Sequence, residues 1–137
     1  MRTATTLLIV DDDPNIRRTI ARWLQSHGFT VTEAGTAGEA LDQMAEHAAE
    51  ITVCDVGLPE RNGLWLAAQM RRQFPRTALV ITTGFGIAAL PSNLDADAIG
   101  YLPKPFTKQQ LLRTLDWALE WRYEHGHSDV EFPGVRY

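Results

Sequence analysis

Side chains that could handle phosphate or a metal ion stand at the ends of four apolar segments of this sequence. They are Asp11, Asp12 and Asp13 after 5–10, Asp55 at the end of 51–55, Thr82 and Thr83 in the segment that starts at 77, and Lys104 after 98–103. A buried carboxylate needs a cation, a hydrogen-bond donor or a proton as its partner. Carboxylates that lie close together also raise one another's pKa unless a cation lies among them. The first question is therefore which cation these acids share.

The residue types indicate a magnesium site that serves phosphoryl transfer. Mg²⁺ binds through few carboxylates, several waters and a phosphate oxygen, and the backbone carbonyl of Gly57 could add one more oxygen ligand. Lys104 supplies a positive charge for Asp55 or for a phosphoryl oxygen, and Thr83 supplies a hydroxyl donor. Such groups stabilise the charge that develops on a transferring phosphoryl group. Because a carboxylate can act as the nucleophile, we predict phosphoryl transfer onto Asp55.

Five segments with apolar or alternating patterns predict β-strands, and a slot for a helix follows each of them. The strands are predicted at 5–10, 29–34, 51–55, 77–82 and 98–103. Continuous apolar runs are typical of parallel strands that are buried on both faces. The chain is therefore predicted to be an α/β domain with a five-stranded parallel sheet. Ligands of such sheets bind outside the carboxyl ends of the strands, where the reactive side chains stand.

Capping residues mark where the predicted helices begin and end. Asp13 is a typical N-cap, with Pro14 at the first helical position, and Gly28 is a typical end for the same helix. Two further helices open with T-x-x-E or T-x-x-Q capping boxes, and the apolar pattern predicts one more. These are the boxes from Thr36 to Glu39 and from Thr107 to Gln110, and the helix over 63–74.

Two stretches of the chain lack a clear pattern. The segment 84–98 should hold a helix by position, but it contains Pro91, so only a short or irregular helix is predicted. The stretch 125–137 is polar and contains glycine and proline. We therefore expect one domain over 1–124, followed by an irregular tail.

The composition indicates a water-soluble globular protein. The chain has 137 residues, of which 45% are apolar and 22% charged, which suits one domain with a proper core. Its net charge of −4 gives no general attraction to nucleic acid or to an anionic membrane, and no apolar run is long enough to span a membrane. The single cysteine, Cys54, excludes an internal disulfide and is expected to be a small buried residue. These features favour a cytoplasmic location.

Four motifs, in this order, resemble those of receiver domains from two-component response regulators. They are "LLIVDDDPNIRR", "VCDVGLPERNG", "LVITTG" and "GYLPKPF", and the resemblance covers roughly 5–122. It implies the flavodoxin-like, doubly wound fold, with the five strands in the order 2-1-3-4-5 and helices on both faces of the sheet. It also implies a signalling receiver that catalyses only its own phosphorylation and dephosphorylation.

The resemblance assigns roles to the acidic residues. It implies that Asp55 accepts a phosphoryl group from a histidine kinase or a phosphotransfer protein. Asp12 and Asp55 would bind Mg²⁺ directly, together with the backbone carbonyl of Gly57. Asp11 would act mostly through water.

The resemblance also assigns roles at the last two strands. Thr83 and Lys104 would contact the phosphoryl group, and Thr83 and Tyr101 would form a conformational switch. Strand neighbours point to opposite faces, so Thr82 is the only alternative to Thr83. The peptide bond between Lys104 and Pro105 is expected to be cis.

Several features bear on the output of such a receiver. Gly57 and Phe85 stand two residues beyond Asp55 and Thr83, where the family screens the attacking water. The downstream partner is expected to be a protein, and homodimerisation is a further option. Trp117 and Trp121 share one side of the last helix, which suggests either an interface or a surface covered by the tail.

Three other functions remain as alternatives. A haloacid-dehalogenase-like phosphohydrolase would use Asp11 as its nucleophile, because "IVDDDPN" loosely resembles the D-x-D motif of that family. A flavodoxin-like flavin carrier is disfavoured because the acids after the first strand would repel the phosphate of the flavin. A pseudo-receiver would keep the fold for binding alone. Trapping of a phosphoryl group on Asp11 or on Asp55 separates the first of these from a receiver.

Overall fold

The computed structural model describes residues 4–84 and 100–125, which form five strands and four helices. In chain order these are β1 (Thr6–Val10), α1 (Pro14–Gln25), β2 (Thr30–Ala34), α2 (Ala37–Glu46), β3 (Ile51–Asp55), α3 (Gly63–Gln73), β4 (Ala78–Thr83), β5 (Gly100–Pro103) and α4 (Lys108–His125). The predicted alternation of strand and helix is therefore confirmed for these residues.

All five strands are parallel and form one sheet in the order β2-β1-β3-β4-β5. This is the predicted doubly wound α/β fold. The strand order reverses at β1, which pairs with β2 on one side and with β3 on the other. The carboxyl ends of β1 and β3 therefore flank the switch point, where sheets of this kind bind their ligands.

Two hydrophobic clusters cover the two faces of the sheet. One lies between the sheet and the helices α2 and α3, and includes Leu8, Met44 and Leu66. The other lies between the sheet and the helices α1 and α4, and includes Ile20, Val53 and Leu115. The central strand β3 is buried along its whole length, which explains why its sequence does not alternate.

The N-capping predictions are confirmed, whereas α1 ends at Gln25, with Ser26 as its C-cap, three residues before the predicted Gly28. Asp13 accepts hydrogen bonds from the backbone N–H groups of Asn15 and Ile16, so it caps α1. Gly28 has a φ of 90°, a left-handed conformation that glycine adopts at low cost. In both capping boxes the threonine hydroxyl accepts from the backbone N–H three residues later. The distances are 3.0 Å for Thr36 to Glu39 and 3.0 Å for Thr107 to Gln110.

Some predicted boundaries shift in the structure. Helix α4 runs through His125, one residue into the expected tail. Strand β4 begins at Ala78 and includes Thr83, and β5 begins at Gly100. Most of the segment 84–98, with its predicted irregular helix, lies outside the described residues, as does the tail after 125.

The two tryptophans of α4 differ in their surroundings. Trp117 is 66% exposed. Trp121 is half-buried against the cluster beneath α1 and α4, and the guanidinium carbon of Arg71 lies 5.3 Å from its ring centroid. Trp121 therefore packs against the core, whereas Trp117 lies in solvent. Arg71 of α3 reaches the ring of Trp121, and Arg122 of α4 donates to the backbone carbonyl of Arg76, three residues after the end of α3.

In the described parts of the chain, 4–84 and 100–125, no helix combines the length and the apolar character that a membrane span requires.

Candidate functional site

Strand β1 places Asp11 at the carboxyl edge of the sheet. The Asp11 backbone N–H donates to the carbonyl of Ala34 at 3.1 Å, which extends the pairing with β2 past Val10. The side chain is buried, and its Oδ1 accepts a hydrogen bond from the backbone N–H of Asp13 at 2.9 Å. Asp12, the next residue, is exposed. The chain thus leaves the sheet with one acid fixed and the next one turned towards solvent.

Strand β3 delivers Asp55 to the same edge, where only 8% of the residue is exposed. The following loop folds back tightly, because the Val56 N–H donates to Thr82 at 3.0 Å and the Gly63 N–H donates to Val56 at 2.9 Å. A Cβ atom on Gly63 would lie only 2.2 Å from the carbonyl oxygen of Asp55. The glycine of the "NG" pair is therefore needed so that the start of α3 can press against the backbone of Asp55.

The three acids that the sequence singled out come together. Asp11, Asp12 and Asp55 each offer a carboxylate oxygen, and these oxygens all lie within 4.8 Å of one another. Two of the residues are buried and Asp12 is exposed, so the cluster opens to solvent on one side. An all-oxygen set with few carboxylates and room for water fits Mg²⁺.

Lys104 lies across from the acids and contacts two of them. Its Nζ is 3.0 Å from Oδ2 of Asp11 and 3.3 Å from Oδ2 of Asp55. The Lys104 backbone N–H donates to the carbonyl of Thr83 at 2.7 Å, and the peptide bond to Pro105 is cis, the isomer that the resemblance implies. The pairing of Lys104 with Asp55 is predicted from the sequence, whereas its shorter contact to Asp11 is not.

The electrostatics of this group follow from burial and from that ammonium. Burial raises the pKa of Asp55, and the positive charge of Lys104 opposes the rise only in part. Burial also acts to lower the pKa of Lys104, but the hydrogen bond and the charge of Asp11, together with Asp55, leave that pKa raised overall. Lys104 therefore stays protonated at neutral pH. A further cation close to Asp55 would stabilise the ionised form of its carboxyl group.

Cys54 precedes Asp55 but takes no part in the site. It is fully buried in the cluster beneath α2 and α3, and burial followed by the charge of Asp55 raises the pKa of its thiol strongly. Cys54 is therefore a small buried residue, as predicted.

The remaining predicted residues lie around this cluster. Thr82 is the register partner of Asp55, and Thr83 pairs with Pro103 and is fully buried. Tyr101 is half-buried and packs against the cluster beneath α2 and α3. The Gly57 N–H forms a hydrogen bond to the carboxylate of Asp55, which opposes the rise in pKa that burial causes. The predicted roles of Thr83, of Tyr101 and of the Gly57 carbonyl remain predictions, and Phe85 lies outside the described residues.

One residue of the site, on α1, is not predicted from the sequence. Arg17 of α1 donates from Nη1 to the backbone carbonyl of Asp11 at 2.7 Å. Its position four residues after the N-cap Asp13 places it one helical turn further along α1, close to the acidic loop. That spacing is a signal that could have identified it.

A groove runs beside the acidic cluster. It has a volume of about 520 Å³, and its lining is mostly apolar, with Ile16, Ile20 and Trp23 from α1 and with Phe106 next to Lys104 and Pro105. Ile16 is one of the exposed large apolar residues of the described chain. An apolar surface next to a charged site is suited to contact with another protein.

Comparisons with known proteins agree with this geometry. A family model described as response regulator receiver domain matches residues 7–116. The chain is 40% identical over 120 residues to the sensor kinase CckA of Brucella abortus (strain 2308), a match that covers 85% of this chain and 13% of that protein. It is 36% identical over 107 residues to the response regulator MprA of Mycobacterium sp. (strain KMS), covering 77% of this chain and 46% of that protein. The chain therefore spans less than half the length of either relative.

The fold is also shared with a solved structure. The crystal structure of a CheY-like response regulator receiver domain protein from Methanospirillum hungatei JF-1 matches with a TM-score of 0.84 at 27% identity. The match covers 90% of this chain and 100% of that chain.

Proposed function

This chain belongs to the response regulator receiver domain family, and we propose that it takes a phosphoryl group onto Asp55 from a histidine kinase or a phosphotransfer protein. Receiver domains of response regulators are signalling modules. The observation that carries the proposal is the meeting of three carboxylates within 4.8 Å, with the ammonium of Lys104 between two of them.

The proposed chemistry is an in-line displacement at phosphorus. A carboxylate oxygen of Asp55 attacks the phosphorus, the bond between phosphorus and the donor's imidazole nitrogen breaks, and the electron pair stays on that nitrogen. Asp11, Asp12 and Asp55 would hold Mg²⁺, and the ion when bound would neutralise charge on the carboxylates and on the phosphoryl oxygens. Lys104 already lies 3.3 Å from an Asp55 oxygen, so it can follow the negative charge onto the new phosphoryl group.

The groove along α1 supports a protein as the phosphoryl donor. A donor protein must bring its phosphohistidine to Asp55, and the groove with Ile16 lies directly beside Lys104. An apolar helix of the donor could bury itself there and place its imidazole over the acids. Exchange of Ile16 for Ser should therefore slow transfer from a protein donor and leave transfer from acetyl phosphate unchanged. Equal slowing with both donors would contradict this role for the groove.

The proposed output is a conformational change. Thr83 is buried at the end of β4 and Tyr101 is half-buried on the neighbouring β5, so both could move when a phosphoryl group arrives. We propose that this switch presents a new surface to a protein partner, and that residues 1–124 are the receiver that carries it, in the cytoplasm.

The test is labelling by acetyl phosphate, with and without Mg²⁺, followed by intact-mass measurement and peptide mapping. Wild type should gain one phosphoryl group only when Mg²⁺ is present, and Asp55→Asn should gain none. Asp42→Asn is the matched control, because Asp42 is an exposed acid of α2 outside the cluster. Label on Asp11 would favour a phosphohydrolase, and a wild type that takes no label with Mg²⁺ would favour a pseudo-receiver.

A further inference from the structure

Arg17 forms a bridge between the acidic loop and the edge strand of the sheet. Its Nη1 donates to the backbone carbonyl of Asp11 at 2.7 Å, and its Nε donates to Oε1 of Glu33 on β2 at 2.9 Å. Only 18% of the Arg17 side chain is exposed. A guanidinium is a planar fork, so two bonds in different directions fix both its position and its tilt.

The partner of Arg17 is itself held in place. Gln43 of α2 donates from Nε2 to the backbone carbonyl of Glu33 at 2.7 Å. Gly35 lies close by, and a Cβ atom there would be 3.4 Å from Nη1 of Arg17. The guanidinium therefore rests against β2, which is braced in turn by α2.

The bond to the Asp11 carbonyl reaches the metal-binding acids through the backbone. The carbonyl of Asp11 and the N–H of Asp12 belong to one planar peptide unit. Holding that carbonyl therefore fixes the direction in which the chain enters Asp12. Asp12 is exposed, so less packing holds it in place than holds the buried Asp11 and Asp55.

We propose that Arg17 is a positioning residue for the divalent-cation site, acting through the peptide between Asp11 and Asp12. The inference rests on the proposed function, since it assumes that these acids bind Mg²⁺. Arg17 does not touch the ion or the phosphoryl group; it sets the angle at which Asp12 meets Asp55. Groups that orient metal ligands in this way typically change metal affinity by about tenfold or more when removed.

The direction of the change in Mg²⁺ affinity distinguishes a positioning role of Arg17 from an effect of its charge alone. Arg17 is a cation near a cation site, so loss of its charge alone would tighten Mg²⁺ binding. Loss of the bond to the Asp11 carbonyl would weaken binding instead. Arg18 is the matched control, because it is the next residue of α1, carries the same charge and is exposed.

The experiment is calorimetric titration of the full chain with Mg²⁺, well below the unfolding temperature. Arg17→Met should bind Mg²⁺ about tenfold more weakly than wild type. The Mg²⁺ affinity of Arg17→Lys should lie between those of Arg17→Met and wild type, because an ammonium lacks the planar fork with which the guanidinium reaches both acceptors. Arg18→Met should bind as tightly as wild type or slightly more tightly. Equal or tighter binding by Arg17→Met would overturn the proposal.

A second pair of variants keeps Arg17 in place. Glu33→Gln removes the charge but retains an oxygen that can accept from Nε, whereas Glu33→Ala removes the acceptor. Mg²⁺ affinity should fall in Glu33→Ala and change little in Glu33→Gln, and equal losses in both would contradict the role of the hydrogen bond. This pair decides the question if circular dichroism shows that Arg17→Met does not fold. A wild type that binds no Mg²⁺ would overturn the proposed function and this inference with it. Mg²⁺ affinity that is the same in wild type and in the Arg17 variants would overturn the inference alone.

Discussion

The close approach of α3 to the backbone of Asp55 can be tested by adding a single methyl group. A Cβ atom at Gly63 would lie 2.2 Å from the carbonyl oxygen of Asp55 and 2.8 Å from both the carbonyl carbon of Asp55 and Cα of Val56. All three are main-chain atoms, so no side chain can rotate away to relieve the clash. In Gly63→Ala the start of α3 and the end of β3 must therefore move apart by the better part of an ångström.

The expected cost follows from the packing. Forcing an extra methyl group into a filled site typically costs about 1–3 kcal/mol, and the upper end applies here because only backbone can move. The higher helix propensity of alanine returns less than about 1 kcal/mol. We therefore expect Gly63→Ala to lower the free energy of unfolding by about 2 kcal/mol, and the melting temperature by roughly 6–8 °C for a chain of this size.

The assay is thermal and urea unfolding followed by circular dichroism, with Gly38→Ala as the matched control. Gly38 lies in the first turn of α2, and a Cβ atom there would meet nothing within 4 Å. Gly38→Ala should therefore stabilise the protein by about 0.4–1 kcal/mol. Gly63→Ala should also bind Mg²⁺ more weakly than wild type, because Asp55 belongs to the acidic cluster. A Gly63→Ala protein with wild-type stability and wild-type Mg²⁺ affinity would refute the argument.

Further predictions concern the charges of the site. In EDTA at pH 7, Asp55→Asn should melt at a higher temperature than wild type, because burial raises the pKa of Asp55 and folding therefore opposes its ionisation. In wild type, the free energy of unfolding falls as the pH rises from the unfolded-state pKa of Asp55, about 3.9, through its raised folded-state pKa. In acid the side chain is protonated in both states, so the difference in melting temperature between the two proteins should vanish. A difference in melting temperature that does not depend on pH would contradict this. Lys104→Met should melt at a lower temperature than wild type in EDTA, since the carboxylates of Asp11 and Asp55 lose the ammonium between them, and Mg²⁺ should restore more stability to this variant than it adds to wild type. Saturating Mg²⁺ should raise the melting temperature of wild type but not of Asp12→Asn, as measured by differential scanning fluorimetry; an equal rise in both would exclude Asp12 as a ligand.

Local rules were enough to predict most of the elements. Asp13 and Pro14 mark the start of α1, and the threonines of the two capping boxes mark α2 and α4, because these signals act within one helical turn. The continuous apolar run of β3 predicts burial on both faces, because a central strand of a parallel sheet has helices on both of its faces. The convergence of the acids with Lys104 follows from the parallel order of the strands, since every strand that carries one of them ends at the same edge.

The burial of side chains near the end of a helix was less well predicted. Trp117 and Trp121 share a side of α4 by spacing alone, yet only Trp117 is exposed. Trp121 packs against the cluster beneath α1 and α4, and Arg71 of α3, which is distant in sequence, lies over its ring. Periodicity reports which residues share a side, but it does not report what packs against the last turn.

The chemical groups of the site, the strands that carry them and the edge at which they meet could all be predicted from the sequence, because caps and apolar runs act over a few neighbouring residues. The three-dimensional structure was needed to show that Lys104 bonds to Asp11 as well as Asp55, and that Arg17 reaches from α1 to the backbone of Asp11 and to Glu33. It also decided why residue 63 must be glycine. These contacts join residues from different elements at distances near 3 Å, and such distances depend on how the helices are seated on the sheet rather than on any pattern along the chain.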